Sequence, residues 1–187
     1  MADRDSELPA WQDDMRSLGL VAGSPVKATR RVERPASEVW RAIATPGYLA
    51  NCHPFCRSTE VERWPGEGSR DSITYLSGIR YQRHFVSWCE GVGYDIELGE
   101  HPHLTARVLW RTLPHGGAES EFSIEVFPLL RRTLSNERRA AYQQRLFGNV
   151  LEHYLGCVVR GVAWFATTGK AVEPNQFGRS EMYSEPA

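Results

Sequence analysis

The sequence predicts a single α+β domain in which an antiparallel meander of strands packs on a long C-terminal helix. Two observations carry this. In the run Ser135 to Thr168, Leu151, Tyr154, Leu155, Val158, Val159, Val162 and Phe165 recur at three- and four-residue steps, one broad apolar stripe of an amphipathic helix. Between Arg57 and Phe127 six short stretches rich in β-branched and aromatic residues are separated only by turn chemistry, leaving no room for crossover helices.

The helix has its own punctuation. Ser135 is placed to cap its N-terminus, Glu137 sits in the positive first turn, and Gly169 stands where a left-handed residue would end it. A helix of this span is about 50 Å long, more than a small domain needs, so its first turns are expected to project or bend. Gly148, Gly156 and Gly161 each cost about 1 kcal/mol relative to Ala, which calls for a close backbone approach or for space left beside the helix.

The meander reads as strands at Arg57 to Trp64, Ser72 to Leu76, Arg80 to Cys89, Tyr94 to Leu98, Leu104 to Leu113 and Glu119 to Phe127. Their separators are PGEG, SG, EGVG, EHPH and PHGG. Phe122, Ile124 and Val126 alternate with Ser123 and Glu125, so the sheet has one buried and one wetter face. Upstream, VKATRRV from Val26 to Val32 is a seventh strand. Pro35 then opens a short helix that buries Val39, Trp40 and Ile43 and stops at Pro46 and Gly47, and a second short turn covers Tyr48 to Cys52. Residues 1–24 are expected to be an appendage with a short amphipathic helix through Leu8, Trp11, Met15, Leu18 and Leu20. The domain proper spans 25–169, and the polar residues 170–187 are expected to form a flexible tail.

Composition narrows the function classes. The 187 residues carry 22 basic and 23 acidic side chains, a net charge of −1 that offers no bulk attraction to nucleic acid or anionic membrane. No stretch approaches the roughly 18 apolar residues of a membrane span, and the acidic N-terminus lacks a signal-peptide pattern, so a cytoplasmic location is the expectation. The four cysteines are too scattered for a disulfide framework. Cys52, His53 and Cys56 form a CHxxC cluster without the further ligands of a closed zinc site, and His101 and His103 flank Pro102 in a turn, where they read as solvated. No metal, cofactor, nucleotide loop or nucleophile motif is expected.

The order of strand, two short helices, six strands and a long helix is the helix-grip arrangement, in which a curved seven-stranded sheet wraps the C-terminal helix. From about Val26 to Thr168 the chain resembles the START-like (SRPBCC) superfamily that includes the birch-pollen-allergen fold and the polyketide cyclases and dehydrases. The likeness rests on PASEVW (Pro35 to Trp40), PGEGSR (Pro65 to Arg70) and the VSW strand end (Val86 to Trp88). The resemblance implies structural roles for Val39, Trp40, Gly66 and Gly68. Many relatives carry a carboxylate ahead of the VSW position, where this chain has Arg83 and His84.

A sheet closed over the helix leaves a volume suited to a hydrophobic small molecule: a lipid, an isoprenoid or a polyketide-like compound with acidic or oxygenated groups. Candidate walls are Tyr81, Arg83 and Phe85 on one strand, Tyr94 and Ile96 on the next, Val108 and Trp110, then Phe122 and Ile124, and Phe147, Leu151, Tyr154 and Val158 from the helix. The same pattern also describes a filled core. If Tyr81, Arg83 and Phe85 face inward, the buried guanidinium needs a partner, and Glu97, Glu125 or a ligand oxygen are the candidates. If the opposite face turns inward, His84 replaces Arg83. His84, Tyr154, His53 and Cys52 are the acid-base candidates. Binding in a cofactor-free cavity is the leading reading, a cofactor-independent cyclase, aromatase or dehydratase the rival, and a cochaperone-like interaction module the third. The expected assembly is a monomer or homodimer that neither binds nucleic acid nor sits in a membrane.

Overall fold

The computed structural model describes residues 10–147 and 149–186, apart from the side chains at 146, 147 and 149. After α1 (Trp11–Ser17) and β1 (Leu20–Ala22), the chain runs through β2 (Val26–Val32), α2 (Ala36–Ile43) and α3 (Leu49–Cys52). It then forms β3 (Cys56–Arg63), β4 (Arg70–Tyr75), β5 (Arg80–Cys89), β6 (Gly93–Glu100), β7 (His103–Pro114) and β8 (Ser120–Arg131). The final elements are α4 (Asn136–Phe147) and α5 (Asn149–Thr168).

The strands form one antiparallel sheet in the order β1-β8-β7-β6-β5-β4-β3, with β2 also on β8. It has eight strands rather than seven. The added one, Leu20–Ala22, pairs with Leu129 to Arg131, so part of the expected appendage is built into the sheet. That happens because β8 runs on to Arg131, past the alternating residues, and needs a partner for its last backbone groups beyond the reach of β2. α1 then lies on the face away from the cavity: Trp11 meets Phe127 edge to face, and the Arg107 guanidinium sits 5.1 Å from the Trp11 ring centroid.

The other face is covered by α5, which packs against β2, β8, α2 and α3. Leu155, Val158, Val159 and Val162 are its buried stripe, meeting Val39, Ile43, Leu49 and Phe55. PASEVW and VSW, far apart in sequence, are tied by one carboxylate: Trp40 Nε1 donates to Glu90 Oε1 at 2.9 Å and Trp88 Nε1 to Glu90 Oε2 at 3.0 Å. The C-terminal stretch expected as one helix is described as α4 and α5, with Gly148 between them outside the described residues. Ser135 Oγ accepts from the backbone N–H of Arg138, and Gly169 ends α5 at φ 69°. α4 is held at its middle by Gln143, whose amide donates to Ser24 O at 2.7 Å and accepts from Ser24 N at 3.0 Å.

The tail corrects another expectation. Its polar composition suggested loose chain, yet Val172 N donates to Asn51 O and Asn175 N to Pro54 O, both at 2.9 Å, and Tyr183 stacks on Tyr75 with centroids 4.2 Å apart. Isolated aromatics anchor it, which composition averages away.

The two described helix glycines answer differently. A Cβ on Gly161 would lie 2.2 Å from Cys52 O, so α5 touches the α3 backbone there, whereas a Cβ on Gly156 would meet nothing within 4 Å. Gly161→Ala should therefore lower unfolding free energy by about 1–3 kcal/mol through overpacking, while Gly156→Ala should raise it by about 0.5–1 kcal/mol. Urea denaturation of the two variants checks the pair, and equal effects would refute the close approach.

Candidate functional site

A cavity of about 700 Å³ lies between the sheet and α5. It is half-open among the described residues rather than enclosed. Period-two alternation builds its walls: Ile73 and Tyr75 from β4, Tyr81 and Arg83 from β5, Ile96 and Leu98 from β6. Val108, Trp110, Ile124 and Val126 continue the lining across β7 and β8, facing Leu151, Tyr154, Leu155 and Val158 of α5. Leu18, Gly19 and Leu20 near the N-terminus, Tyr142 of α4, and Met182 and Tyr183 of the tail also contribute.

Of the expected wall residues, Tyr81, Arg83, Ile96, Val108, Trp110, Ile124, Leu151, Tyr154 and Val158 do line this space. Phe85, Tyr94 and Phe122 face the same way but are core: Phe85 packs edge-on to Trp64, Tyr94 stacks on Trp88, and Phe122 meets Trp110. α2 packs on β7 and β8 on this side of the sheet, and Leu49 of α3 lines the cavity itself. Phe147 has its side chain outside the described residues. His84 points to the opposite face of the sheet, away from Tyr154.

Arg83 faces inward and is 5% exposed. Its partner is neither Glu97, which lies on the outer face, nor Glu125, but Asp71, its cross-strand neighbour. Nε donates to Asp71 Oδ1 at 2.6 Å and Nη2 to Oδ2 at 2.5 Å, a bidentate pair, while Nη1 donates to Tyr48 Oη at 3.0 Å. Tyr48 in turn accepts from Tyr94 Oη at 2.7 Å. Three of the five guanidinium N–H groups are thus used, leaving two. The expected strand began at Ser72; starting it at Arg70 would have put Asp71 in step with Ile73 and Tyr75 and revealed the pair.

The second polar group centres on Tyr154. His53 Nδ1 accepts from the Phe55 N–H at 3.3 Å, which leaves the proton on Nε2, 3.0 Å from Tyr154 Oη. Tyr154 Oη lies 3.1 Å from Tyr75 Oη, and Tyr183 packs over both rings and hydrogen-bonds Tyr81. Burial, then the Arg83 charge, push the His53 imidazole down to about 3. Burial first, then mutual repulsion among the phenols, holds Tyr154 and Tyr183 above the usual tyrosine range. Cys52, the last residue of α3 and next to His53, is buried with its thiol pushed up by burial and by Cys56; Cys56 itself rises to about 11. Neither is a thiolate at neutral pH. Tyr75 and Tyr183 were missed in sequence, Tyr183 because nothing in the tail marks it as buried.

Two expected outcomes follow. Asp71→Asn leaves a buried guanidinium without its countercharge and should cost about 3–5 kcal/mol in urea unfolding, whereas Asp71→Leu combined with Arg83→Met should recover most of that loss. A double variant as unstable as the single one would count against the pair. His53 is neutral when folded but titrates near 6.5 when unfolded, so acid protonates the unfolded chain first and stability falls as pH drops from 6.5 toward 3. His53→Gln keeps a donor for Tyr154 and should lose less stability than the wild type on acidification, by up to about 1.4 kcal/mol per pH unit in that window. Urea curves at several pH values read the difference, and parallel slopes would contradict the assignment.

No protein-family model matches this chain, and no curated protein matches it in sequence. Solved structures do match. Norcoclaurine synthase from Thalictrum flavum, in complex with dopamine and hydroxybenzaldehyde, superposes with a TM-score of 0.61 at 11% identity, covering 91% of this chain and 99% of that one. An aromatase/cyclase from Streptomyces sp. R1128 gives 0.58 at 14% identity, covering 76% and 93%. A protein of unknown function from Staphylococcus aureus gives 0.60 at 10% identity, covering 78% and 96%. With its open antiparallel sheet and long C-terminal helix, the chain has the START-like helix-grip fold of the birch-pollen-allergen type.

Proposed function

We propose that this protein binds a hydrophobic, partly oxygenated small molecule of lipid, isoprenoid or polyketide-like character in the cavity beside α5. The observation that carries the reading is a space of about 700 Å³ with mostly aliphatic walls and a hydrogen-bonding cluster that includes Tyr75, Tyr81, Arg83 and Tyr154. Because Asp71 already neutralises Arg83, the two spare N–H groups favour a carbonyl or hydroxyl oxygen over a carboxylate. No helix among the described residues is long and apolar enough to cross a membrane.

An enzymatic reading in the same cavity is favoured by the His53, Tyr154 and Tyr75 chain and by the likeness to a synthase and an aromatase/cyclase. Proton transfer at neutral pH works best with groups that titrate near 7. An imidazole at about 3 and phenols above their usual range are weak in both directions, which supports binding over acid-base catalysis.

Native mass spectrometry of the purified protein is expected to find a co-purifying apolar compound that dissociates on unfolding and keeps its mass through prolonged incubation with the protein. A compound converted on incubation would favour the enzyme. Ala106→Trp, which projects an indole from the cavity wall, should weaken binding of that compound at least about tenfold, and unchanged binding would refute the site. Arg83→Met is a poorer probe, because it strands Asp71 as a buried unpaired carboxylate.

A further inference from the structure

The side of β5 and β6 facing away from the cavity carries a second constellation. His84 and Glu97 are cross-strand neighbours, and β6 carries a register irregularity between Leu98 and Gly99 before it turns into β7. Gly99 has φ 100°, and a Cβ there would lie 2.7 Å from His103 O, so only glycine fits the tight return. The turn brings His101 back over Glu97, with Nε2 3.0 Å from Glu97 Oε2. One ligand atom from each of His84, Glu97 and His101 then falls within 4.8 Å of the other two.

We propose that His84, Glu97 and His101 bind a divalent transition-metal ion of the zinc class. Two imidazoles and one carboxylate are the donors such ions favour, and three protein ligands leave one position open for water or another ligand. Tetrahedral coordination with bonds of about 2.0–2.1 Å sets ligand atoms about 3.3 Å apart. The His101–Glu97 pair is already that close, and rotation of the half-buried His84 ring closes the rest.

The surroundings prepare these groups for an ion. Glu97 is 5% exposed and its other oxygen, Oε1, accepts from Arg107 Nη1 at 3.4 Å, which orients the carboxylate and leaves Oε2 toward the histidines. Arg107 is itself shared with Asp95 at 3.0 Å, and Asp95 also holds Arg111, so the charges of these two guanidiniums are met by carboxylates. Among the described residues no group hydrogen-bonds the His84 ring nitrogens. On binding, the ion takes the place of the hydrogen bond between His101 Nε2 and Glu97, and the neutral ring carries its one proton on Nδ1.

The site also has a structural reach. Pro102, His103, Leu104 and Thr105, which follow His101 directly, line the cavity. An ion at His101 fastens that rim to β5 and β6, whatever the cavity holds.

The test uses the full chain, freed of metal with a chelator and dialysed, then titrated with Zn²⁺ alone by isothermal calorimetry. One equivalent is expected to bind with a micromolar or tighter dissociation constant. His84→Ala and His101→Ala should each weaken it at least about tenfold, while His115→Ala, at the distant β7–β8 turn, should match the wild type. Absence of saturable one-to-one binding overturns the proposal, as does wild-type affinity in His84→Ala or His101→Ala. His101 lies in an exposed turn, so if His84→Ala loses the wild-type circular dichroism, His101→Ala decides alone.

Discussion

The ion pair between Arg83 and Asp71 is the constraint around which the rest of the structure is arranged. A guanidinium sealed in an apolar interior is tolerated only when its donors and its charge are answered, and the answer comes from the adjacent residue of the neighbouring strand. The pair therefore locks the register of β4 against β5. A slip of one residue would carry Arg83 to the outer face and His84 into the cavity. Through successive antiparallel pairings the same choice sets the faces of β6, β7 and β8, so Ile96, Val108 and Ile124 point inward and Glu97, Arg107 and Glu125 outward.

From that choice the chemistry of the two faces diverges. Inside, Tyr48, Tyr94, Tyr75, Tyr154 and His53 satisfy one another and Arg83 in a setting where burial suppresses ionisation. The result is an inward face rich in neutral hydrogen-bonding groups, of which Tyr75, Tyr154 and His53 line the cavity. Outside, the same alternation gathers Asp95, Glu97, Arg107, Arg111 and two histidines into a charged ladder, partly roofed by Trp11 of α1.

Both ends of the described chain contribute to the site. Leu18 to Leu20 reach it because β1 pairs with the end of β8, and Tyr183 reaches it because the tail folds back over α3 and stacks on Tyr75. A helix-grip sheet of seven strands would leave these margins to solvent.

The sequence alone determined the meander, the short helices and the amphipathic C-terminal stretch, because each is written in local periodicity: alternation in Phe122 to Val126, three- and four-residue steps in Leu151 to Val162, Pro and Gly between them. It also marked nine of the residues around the cavity, since the inward face of a strand can be read once one residue on it is known. What it left open depended on contacts between distant positions. Periodicity could not choose between Arg83 and His84, because both strand faces carry a polar residue, and only the carboxylate of Asp71 across the β4–β5 ladder decides. Nor could it separate Phe85, Tyr94 and Phe122 from the cavity walls beside them, because core and cavity share one face and differ only in what packs against it. The folding back of Tyr183 and the meeting of His84, Glu97 and His101 were likewise tertiary decisions: the residues belong to separate segments, and the backbone's turns, not their spacing, bring them together.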